Sequence, residues 1–314
     1  LALEFEWMQP VRQIVFSPWG ARIDPLGHAC NRSLALKISR KTISLSLAPS
    51  LLAMAAATQA FAAQPVDFIA HRAVYDLSLG KVFGGVAPSS ARGRIVYEFS
   101  GSPCEGYVTN FRQITELQSD ESGSRTSDMR STTFEEGDGS GFRFKTDSYT
   151  DGKLVESVDG KASKSADGGL SVSLTKPTRV KSDFEPGPIF PTAQMMQMVE
   201  VARKGGKTDE VKVYDGSDGG MKIFDTMSII GSEASKPPAD VVIADAQGLK
   251  GVRRWPVTVS YFDGGKKDGE PNYVLAFDLY ENGVSGALNI NYGNYVLTGK
   301  MSKFELLPQK ACTK

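Results

Sequence analysis

The feature that most constrains this fold is a series of short segments in which apolar and polar residues alternate. In residues 92–99, Ile95, Tyr97 and Phe99 share one face, whereas Arg94 and Glu98 occupy the other. Alternation with a period of two is the pattern of a β-strand with one buried face. Similar segments span 71–79, 107–115, 127–134, 142–149, 154–161, 170–175, 210–215, 221–230, 253–263, 272–281, 285–291 and 295–306. The sequence therefore predicts an all-β fold of about a dozen antiparallel strands.

Turns rich in glycine and aspartate separate many of these segments. Examples are EEGDGSG at 135–141, TDGK at 150–153 and ADGG at 166–169. Such turns join neighbouring antiparallel strands into hairpins. Because about a dozen strands are too many for one flat open sheet, we expect the sheet to coil upon itself. No obvious linker divides residues 63–314, which are predicted to form a single domain.

One segment has the periodicity of a helix. A loop predicted over 177–191 from its prolines and glycine precedes it, and Pro191 and Gly205 mark its ends. Its apolar residues at helical spacing are Met195, Met198, Val199 and Ala202. A methionine stripe of this kind is typical of a helix packed on a core, and it also suits contact with an apolar ligand. Met195, Met198 and Val199 are therefore candidate ligand contacts on the inner face of the coiled sheet, with core packing as the alternative.

Residues 37–62 have the three parts of an export signal. Lys37, Arg40 and Lys41 form a positive head, an apolar stretch follows, and Ala60-Phe61-Ala62 is a small-x-small cleavage site. A membrane anchor is the alternative, but the apolar run of about 15 residues is shorter than the roughly 20 that a bilayer requires. We expect a cleaved signal and a periplasmic protein without a stable membrane anchor. Residues 1–36 are expected to be an extension that results from a start codon assigned too far upstream.

The charge of residues 63–314 argues against several partners. Loss of the first 62 residues removes six basic and three acidic residues from the 36 of each, which leaves an acidic excess of three. Nucleic-acid binding requires a basic excess or patch, and attachment to an anionic membrane surface requires a polybasic cluster. The sequence therefore predicts no nucleic-acid partner.

Two cysteines, Cys104 and Cys312, are left after Cys30 is removed with the signal. A pair of cysteines in an oxidising compartment predicts a disulfide, with two unpaired thiols as the alternative. The bond would link an early turn to the last residues of the chain. With two cysteines and one histidine, His71, the domain has too few such ligands for a structural zinc site, and no metal or cofactor is expected.

Candidate catalytic residues are scarce. His71 is the only histidine of residues 63–314, and no serine lies in a nucleophile elbow of the form G-x-S-x-G. His71 is therefore predicted to be structural. Glu135 and Glu136 form a carboxylate pair, but their position in a hairpin turn favours solvated charge over catalysis. No catalytic residue is predicted.

Longer segments of the chain resemble a known family. These are IAHRAVYDLSL at 69–79, FRQITELQSDE at 111–121 and LYENGVSGALNINYGNYVLTGKMSKFELL at 279–307, together with Cys104 and Cys312. They resemble the EipB family, periplasmic cell-envelope integrity proteins of Gram-negative alphaproteobacteria. The resemblance implies a spiral-shaped broken β-barrel with one helix and one disulfide, similar to periplasmic lipoprotein carriers and lipocalin-like folds. It carries over no catalytic residue.

Three functions follow as hypotheses. The first is a non-enzymatic protein that maintains the cell envelope by binding a lipid or another apolar or amphipathic envelope component. The second is a protein-interaction module that supports an envelope assembly factor in the periplasm. The third, an envelope hydrolase, is disfavoured because the sequence contains no recognisable activated nucleophile.

Overall fold

The computed structural model describes residues 65–84, 87–120, 123–236, 238, 246–264, 269–309 and 312. The predicted signal (37–62) and the extension before it (1–36) lie outside these residues. Contacts along the chain define one compact unit over Ala62–Lys314, which contains every described helix and strand.

The described residues form fourteen strands and one α-helix, which confirms the predicted all-β fold with one main helix. In chain order the strands are β1 His71–Val82, β2 Ser90–Ser102, β3 Gly106–Ser119, β4 Gly123–Glu135, β5 Gly141–Thr150, β6 Lys153–Lys164, β7 Leu170–Lys176, β8 Val180–Phe184, β9 Thr208–Val213, β10 Phe224–Ile230, β11 Arg254–Asp263, β12 Tyr273–Tyr280, β13 Ser285–Asn291 and β14 Tyr295–Leu306. Helix α1, Pro191–Arg203, lies between β8 and β9 in sequence. A single 3₁₀ turn, Asp218–Gly220, precedes β10.

All fourteen strands belong to one antiparallel sheet in the order β8-β7-β6-β5-β4-β3-β2-β1-β14-β13-β12-β11-β10-β9. Strands that are consecutive in sequence are neighbours within each half, and the halves join where β1 pairs with β14. Strands β8 and β9 are the two edges of the sheet. The sheet is therefore not closed by strand pairing, which confirms the predicted broken barrel.

The loop predicted over 177–191 is partly wrong because it contains β8. This short strand pairs with β7 at the edge of the sheet, and most of its side chains are exposed. An edge strand with little burial shows no alternation of apolar residues, and the flanking prolines are typical of a loop. Further along the same segment, Ile189 forms a bridge to Val213 on β9, so the segment also reaches the opposite edge of the sheet.

Apolar side chains connect the two ends of the sheet. Tyr214, directly after β9, packs edge-on against Phe142 and Phe144 of β5, with ring centroids 6.2 and 5.7 Å apart. Gly216 lies in the same contact, where a Cβ atom would be 2.5 Å from the Phe144 ring. The sheet thus coils until its ends meet through side-chain packing and the Ile189–Val213 bridge, while β8 and β9 themselves do not pair.

Helix α1 packs on the inner face of the sheet, the face that carries the buried side chains. Met198 and Val199 belong to one buried cluster with Trp255 and Val257 of β11 and Leu279 of β12. Burial of these large side chains contributes roughly 1.5–3 kcal/mol each to folding. The methionine-bearing stripe of α1 is therefore part of the core.

A carboxylate from a distant strand holds the beginning of α1. Glu135, the last residue of β4, is 4 % exposed and accepts hydrogen bonds from the backbone N–H groups of Thr192 and Ala193 at 2.9 and 3.1 Å. These N–H groups lie in the first turn of α1, where Phe190 provides no capping side chain. The prediction of a solvated carboxylate is therefore wrong for Glu135. Burial raises the pKa of Glu135, and the hydrogen bonds to Thr192 and Ala193 oppose this shift.

Candidate functional site

The three residues predicted as ligand contacts lie on α1 but differ in exposure. Met198 is 1 % exposed and Val199 is 0 % exposed, so both are enclosed by the core. Met195 is partly buried and packs at the border of the same cluster. Of the three, Met195 alone keeps appreciable surface for a ligand, and its role as a ligand contact stays a prediction.

The cysteine pair lies at one end of the sheet. The sulfurs of Cys104, in the turn between β2 and β3, and Cys312 are 2.13 Å apart, with Cα atoms 5.8 Å apart. Gln309 ties the same C-terminal segment down, since its side-chain amide donates to the carbonyl oxygen of Phe68 at 3.0 Å and accepts from the N–H of Ala70 at 3.1 Å. The disulfide and Gln309 therefore fasten the C-terminal segment to the β2–β3 turn and to the residues before β1.

His71 lies among aromatic rings and is buried. Its Nδ1 is 2.8 Å from the carbonyl oxygen of Ile69, and the rings of Tyr97, Phe99 and Phe304 surround it with centroids within 6.1 Å. Within the described part of the chain, the Nε2 atom has no hydrogen-bond partner. Burial lowers the pKa of His71, so the imidazole is neutral near pH 7. These surroundings suit a structural histidine and contain no nucleophile for it to activate.

Four tyrosines from the β11–β14 region form an aromatic surface that sequence reasoning did not single out. We call Tyr261, Tyr273, Tyr292 and Tyr295 the tyrosine cluster. The rings of Tyr261 and Tyr273 stack with centroids 4.5 Å apart, and those of Tyr292 and Tyr295 with centroids 5.2 Å apart. Phe224 meets the first pair edge-on at 5.9 and 6.3 Å. All four tyrosines keep partial solvent exposure, although they lie beside the core.

The tyrosine cluster is electrically neutral at physiological pH. Burial raises the pKa values of Tyr261, Tyr273 and Tyr292 above the ordinary value, and it raises the pKa of Tyr295 to about 12. Each phenol therefore keeps its proton and can donate as well as accept a hydrogen bond. Within the described part of the chain, the hydroxyl groups of Tyr261 and Tyr273 have no hydrogen-bond partner.

Aliphatic residues continue the aromatic surface along the inner face. Leu275 on β12 and Leu288 on β13 are partly buried and pack at the border of the cluster that contains Met198. Ile290 on β13 and Phe111 on β3 border the neighbouring cluster in the same way. Partly exposed apolar residues on the concave side of a coiled sheet are suited to hold the apolar part of a ligand.

A groove on the outer face is a weaker candidate. It has a volume of about 310 Å³, and its lining includes Arg112, Arg130 and Lys145. These cations already pair with neighbouring carboxylates: Arg112 and Arg130 both bind Asp128, at 2.9 and 2.6 Å, and Lys145 lies 3.7 Å from Asp147. The groove therefore offers an incoming ligand few unpaired charges.

The described residues offer neither a metal site nor a membrane-spanning helix. No group of three or more histidine, cysteine, aspartate or glutamate side chains there could hold a metal ion. No helix within that part of the chain has both the length and the apolar character needed to cross a membrane.

The comparisons with known proteins agree with the fold. The family described as EipB-like matches residues 62–308. A protein from Brucella abortus (strain 2308), described as cell envelope integrity protein EipB, is 37% identical over 248 residues, which are 79% of this chain and 87% of that protein. A crystal structure from Brucella abortus, described as a beta-barrel-like protein of the domain of unknown function DUF1849, is similar with a TM-score of 0.71 and 34% identity, and the match covers 77% of this chain and 100% of that one. These findings confirm the resemblance seen at 69–79, 111–121 and 279–307.

Only a weak signal in the sequence marks the tyrosine cluster. Its members occur near the ends of predicted strands, in the segments SYFD, PNYV and NYGNYV, where an alternating aromatic residue is ordinary. Their proximity depends on the pairing of Tyr261 with Tyr273 across β11 and β12 and on the β13–β14 turn. Strand register, which the sequence does not specify in advance, brings them together.

Proposed function

Because the chain belongs to the EipB-like family, we propose that it is a non-enzymatic periplasmic protein that maintains the cell envelope. In this proposal the inner face of the coiled sheet binds a lipid or another amphipathic envelope component. The relative's description as a cell envelope integrity protein supports the cellular role. The predicted export signal at 37–62 supports the location.

The observation that carries the ligand proposal is the partly exposed apolar surface beside the core. It consists of the tyrosine cluster with Leu275, Leu288 and Met195. The core beneath α1 buries other large apolar side chains completely, for example Met198 and Leu279. Their partial exposure on a concave face therefore supports a role in binding an apolar chain.

Among the residues that the structure describes, neither candidate for acid–base chemistry is placed to activate a nucleophile, which supports a binding role over catalysis. His71 is enclosed by aromatic rings, and Glu135 is occupied by the first turn of α1. An imidazole buried among aromatic rings and a carboxylate engaged by a helix are not available as general bases.

Binding of N-phenyl-1-naphthylamine, a fluorescent apolar probe, tests this function. Tyr273→Ser removes one ring face, about 55 Å² of apolar contact, which corresponds to about 1.4 kcal/mol and a tenfold weaker affinity. Tyr149→Ser on β5 is the matched control, because Tyr149 lies on the outer face beneath Arg130. The proposal predicts a loss for Tyr273→Ser alone.

Native mass spectrometry of protein purified from periplasm without detergent provides an independent measurement. We expect an amphiphile to be retained by the wild type and reduced in Tyr273→Ser. Equal probe binding by both variants, together with ligand-free protein in repeated preparations, would contradict the proposal. Thermal unfolding of each variant shows whether the loss of a ring has instead disturbed the fold.

A protein-interaction role is the second candidate, and one surface feature favours it. Leu154 and Val155, adjacent at the start of β6, are 54% and 52% exposed. Exposed neighbouring apolar residues are frequent at protein interfaces. A photocrosslinking amino acid at position 155 should form one stoichiometric adduct in the periplasm if this role is correct, and the adduct should disappear in Leu154→Asp. Absence of an adduct would leave ligand binding as the sole candidate.

A further inference from the structure

The inner face changes character between β3 and β5. Six positions in the middle of these strands carry short polar side chains, and we call them the polar wall. They are Gln113 and Thr115 on β3, Ser131 and Thr133 on β4, and Thr146 and Ser148 on β5. The strand register places them on one face, since Thr133 is opposite Thr109, and Ser131 is opposite Phe111 on one side and Thr146 on the other. The apolar side chain of Met129 on β4 lies on the same face among them, opposite Gln113 and Ser148.

The polar wall contains no charged residue. On the inner face of β3–β5, the charged positions are Arg125, exposed toward one end of β4, and Glu135, occupied by α1 at the other end. The outer face of the same strands is different: Arg112 and Arg130 pair with Asp128 there, and their hydrogen bonds, with that to Arg112 the stronger influence, lower the pKa of Asp128 to about 2. One face of these strands is thus rich in ions, and the other carries uncharged hydroxyl and amide groups.

The polar wall keeps unused hydrogen-bonding capacity. Ser131 Oγ and Thr146 Oγ1 are 2.9 Å apart, and Gln113 Nε2 donates to Thr115 Oγ1 at 3.2 Å. Each hydroxyl can make one bond as donor and two as acceptor, so these contacts leave most of that capacity free. The hydroxyl groups of Thr133 and Ser148 have no side-chain partner within the described ranges. Thr115 is buried, and the other five residues of the wall are partly exposed.

The polar wall is continuous with the tyrosine cluster. Gln113 Nε2 lies 3.5 Å from the hydroxyl oxygen of Tyr292, although the two residues are 179 positions apart in sequence. Phe111, which precedes Gln113 on the same face of β3, borders the apolar cluster. The inner face therefore passes directly from an aromatic and aliphatic region into a neutral, hydroxyl-rich one.

We propose that the polar wall binds the saccharide headgroup of an uncharged glycosylated amphiphile whose apolar chain lies on the tyrosine cluster. This inference rests on the proposed function, because it assigns the headgroup of the same ligand. The six positions span three strands and, in β4 register, the stretch from Ser127 to Thr133, about 10 by 20 Å, which leaves room for a small saccharide. Neutral hydroxyl and amide groups beside aromatic rings complement a sugar, which presents hydroxyl groups at its edges and C–H groups on its faces.

The charge distribution disfavours a phosphate or carboxylate headgroup. An anion placed on the polar wall would lose water without gaining a cation, since the wall has none. One carboxylate borders the wall, that of Glu156 opposite Ser148 on β6, and it would repel an anion further; the other inner carboxylate, Glu135, is held by α1. A sugar requires no counter-charge, and the free hydroxyl groups of the wall can replace its lost hydrogen bonds to water.

Three amphiphiles with the same dodecyl chain test the headgroup. They are n-dodecyl β-D-maltoside, dodecylphosphocholine and octaethylene glycol dodecyl ether, each titrated calorimetrically below its micelle concentration. We expect the maltoside to bind about tenfold more tightly than either of the other two, since a site built for hydroxyl groups discriminates against ligands that lack them.

Substitutions in the polar wall test whether the saccharide binds there. The double variant Ser131→Ala with Thr146→Val removes two hydroxyl groups at nearly constant volume, and it should weaken maltoside binding about tenfold while leaving dodecylphosphocholine unchanged. Thr132→Val is the matched control on the outer face of the same strand, where its hydroxyl donates to Asn110 at 3.0 Å. Thermal unfolding checks that each variant is folded.

The outcomes separate the two proposals. Equal affinity for all three amphiphiles, or tighter binding of dodecylphosphocholine, overturns the saccharide inference and leaves the amphiphile-binding function standing. No binding of any amphiphile by the wild type overturns both. Preference for the maltoside that survives the double variant shows that the sugar lies elsewhere and rejects the polar wall as its site.

Discussion

Substitution of Glu135 tests whether one long-range contact positions α1. The carboxylate of this residue accepts from the N–H groups of Thr192 and Ala193, and it is the capping group for a first turn that begins with Phe190 and Pro191. Glu135→Ala removes the acceptor and leaves two N–H groups in a site with little access to water. Helix α1 carries Met195 and several residues of the inner core, so a displacement of α1 in Glu135→Ala should also alter the candidate site.

The structure sets the size of the effect. A buried N–H group that loses its partner costs about 1–3 kcal/mol, so the loss of two, partly relieved by water, should lower the free energy of unfolding by about 3 kcal/mol. Glu135→Gln should cost less, about 1 kcal/mol, because its amide oxygen can still accept from one N–H group and no charge is buried. Glu136→Ala is the matched control. Its carboxylate is exposed, and the nearest cation, on Arg143, is 3.8 Å away, so a change below about 0.5 kcal/mol is expected.

The pKa of Glu135 gives the experiment a second readout. Because burial raises this pKa above the ordinary value of 4.5, the folded protein binds the proton more tightly than the unfolded chain does. The resulting stabilisation is complete below pH 4.5 and is lost as the pH rises through the raised pKa. Wild-type protein should therefore lose stability relative to Glu135→Gln across that window.

Urea unfolding followed by circular dichroism, repeated at rising pH from about pH 4, measures both effects. Equal stability of Glu135→Ala and Glu136→Ala would refute the capping role. A wild-type protein that gains stability over Glu135→Gln as the pH rises would refute the effect of burial on the carboxylate.

Three further predictions concern the rest of the fold. Cys312→Ser should lower the free energy of unfolding by about 2–5 kcal/mol, because the bond closes a loop of 208 positions, and unchanged melting with reductant would reject a structural disulfide. Wild-type protein should lose stability as the pH falls below 6.5, because the buried imidazole of His71 has a lowered pKa and only the unfolded chain readily takes up the proton. His71→Phe should abolish this loss, and parallel pH profiles of stability for the two proteins would contradict the prediction. Gly216→Ala should destabilise the fold by about 2–4 kcal/mol, because the added Cβ overlaps the Phe144 ring. Gly139→Ala is the control: Gly139 has a similar positive φ but open space around it, so the substitution should cost only about 1–2 kcal/mol. Equal losses in thermal unfolding would show that the ends of the sheet do not pack as described.

Much of the architecture follows from local pattern. Alternation in segments such as 92–99 and 295–306 predicts strands because a strand places successive side chains on opposite faces whatever its neighbours are. The helix that begins at Pro191 is predictable for the same reason, since its spacing repeats every three to four residues. Strand β8 escapes this reasoning because an exposed edge strand has no buried face to impose a pattern.

The candidate site depends on relations that no local pattern contains. Tyr292 and Gln113 are far apart in sequence and meet because the sheet coils and pairs β1 with β14. Glu135 looks like a solvated turn residue until α1 is placed above it. The sequence by itself determined that the chain forms many strands and one helix, most of them with one apolar and one polar face. The tertiary structure alone decided which polar and aromatic groups share the inner surface, because strand register and the curvature of the sheet arise from contacts between residues distant in sequence.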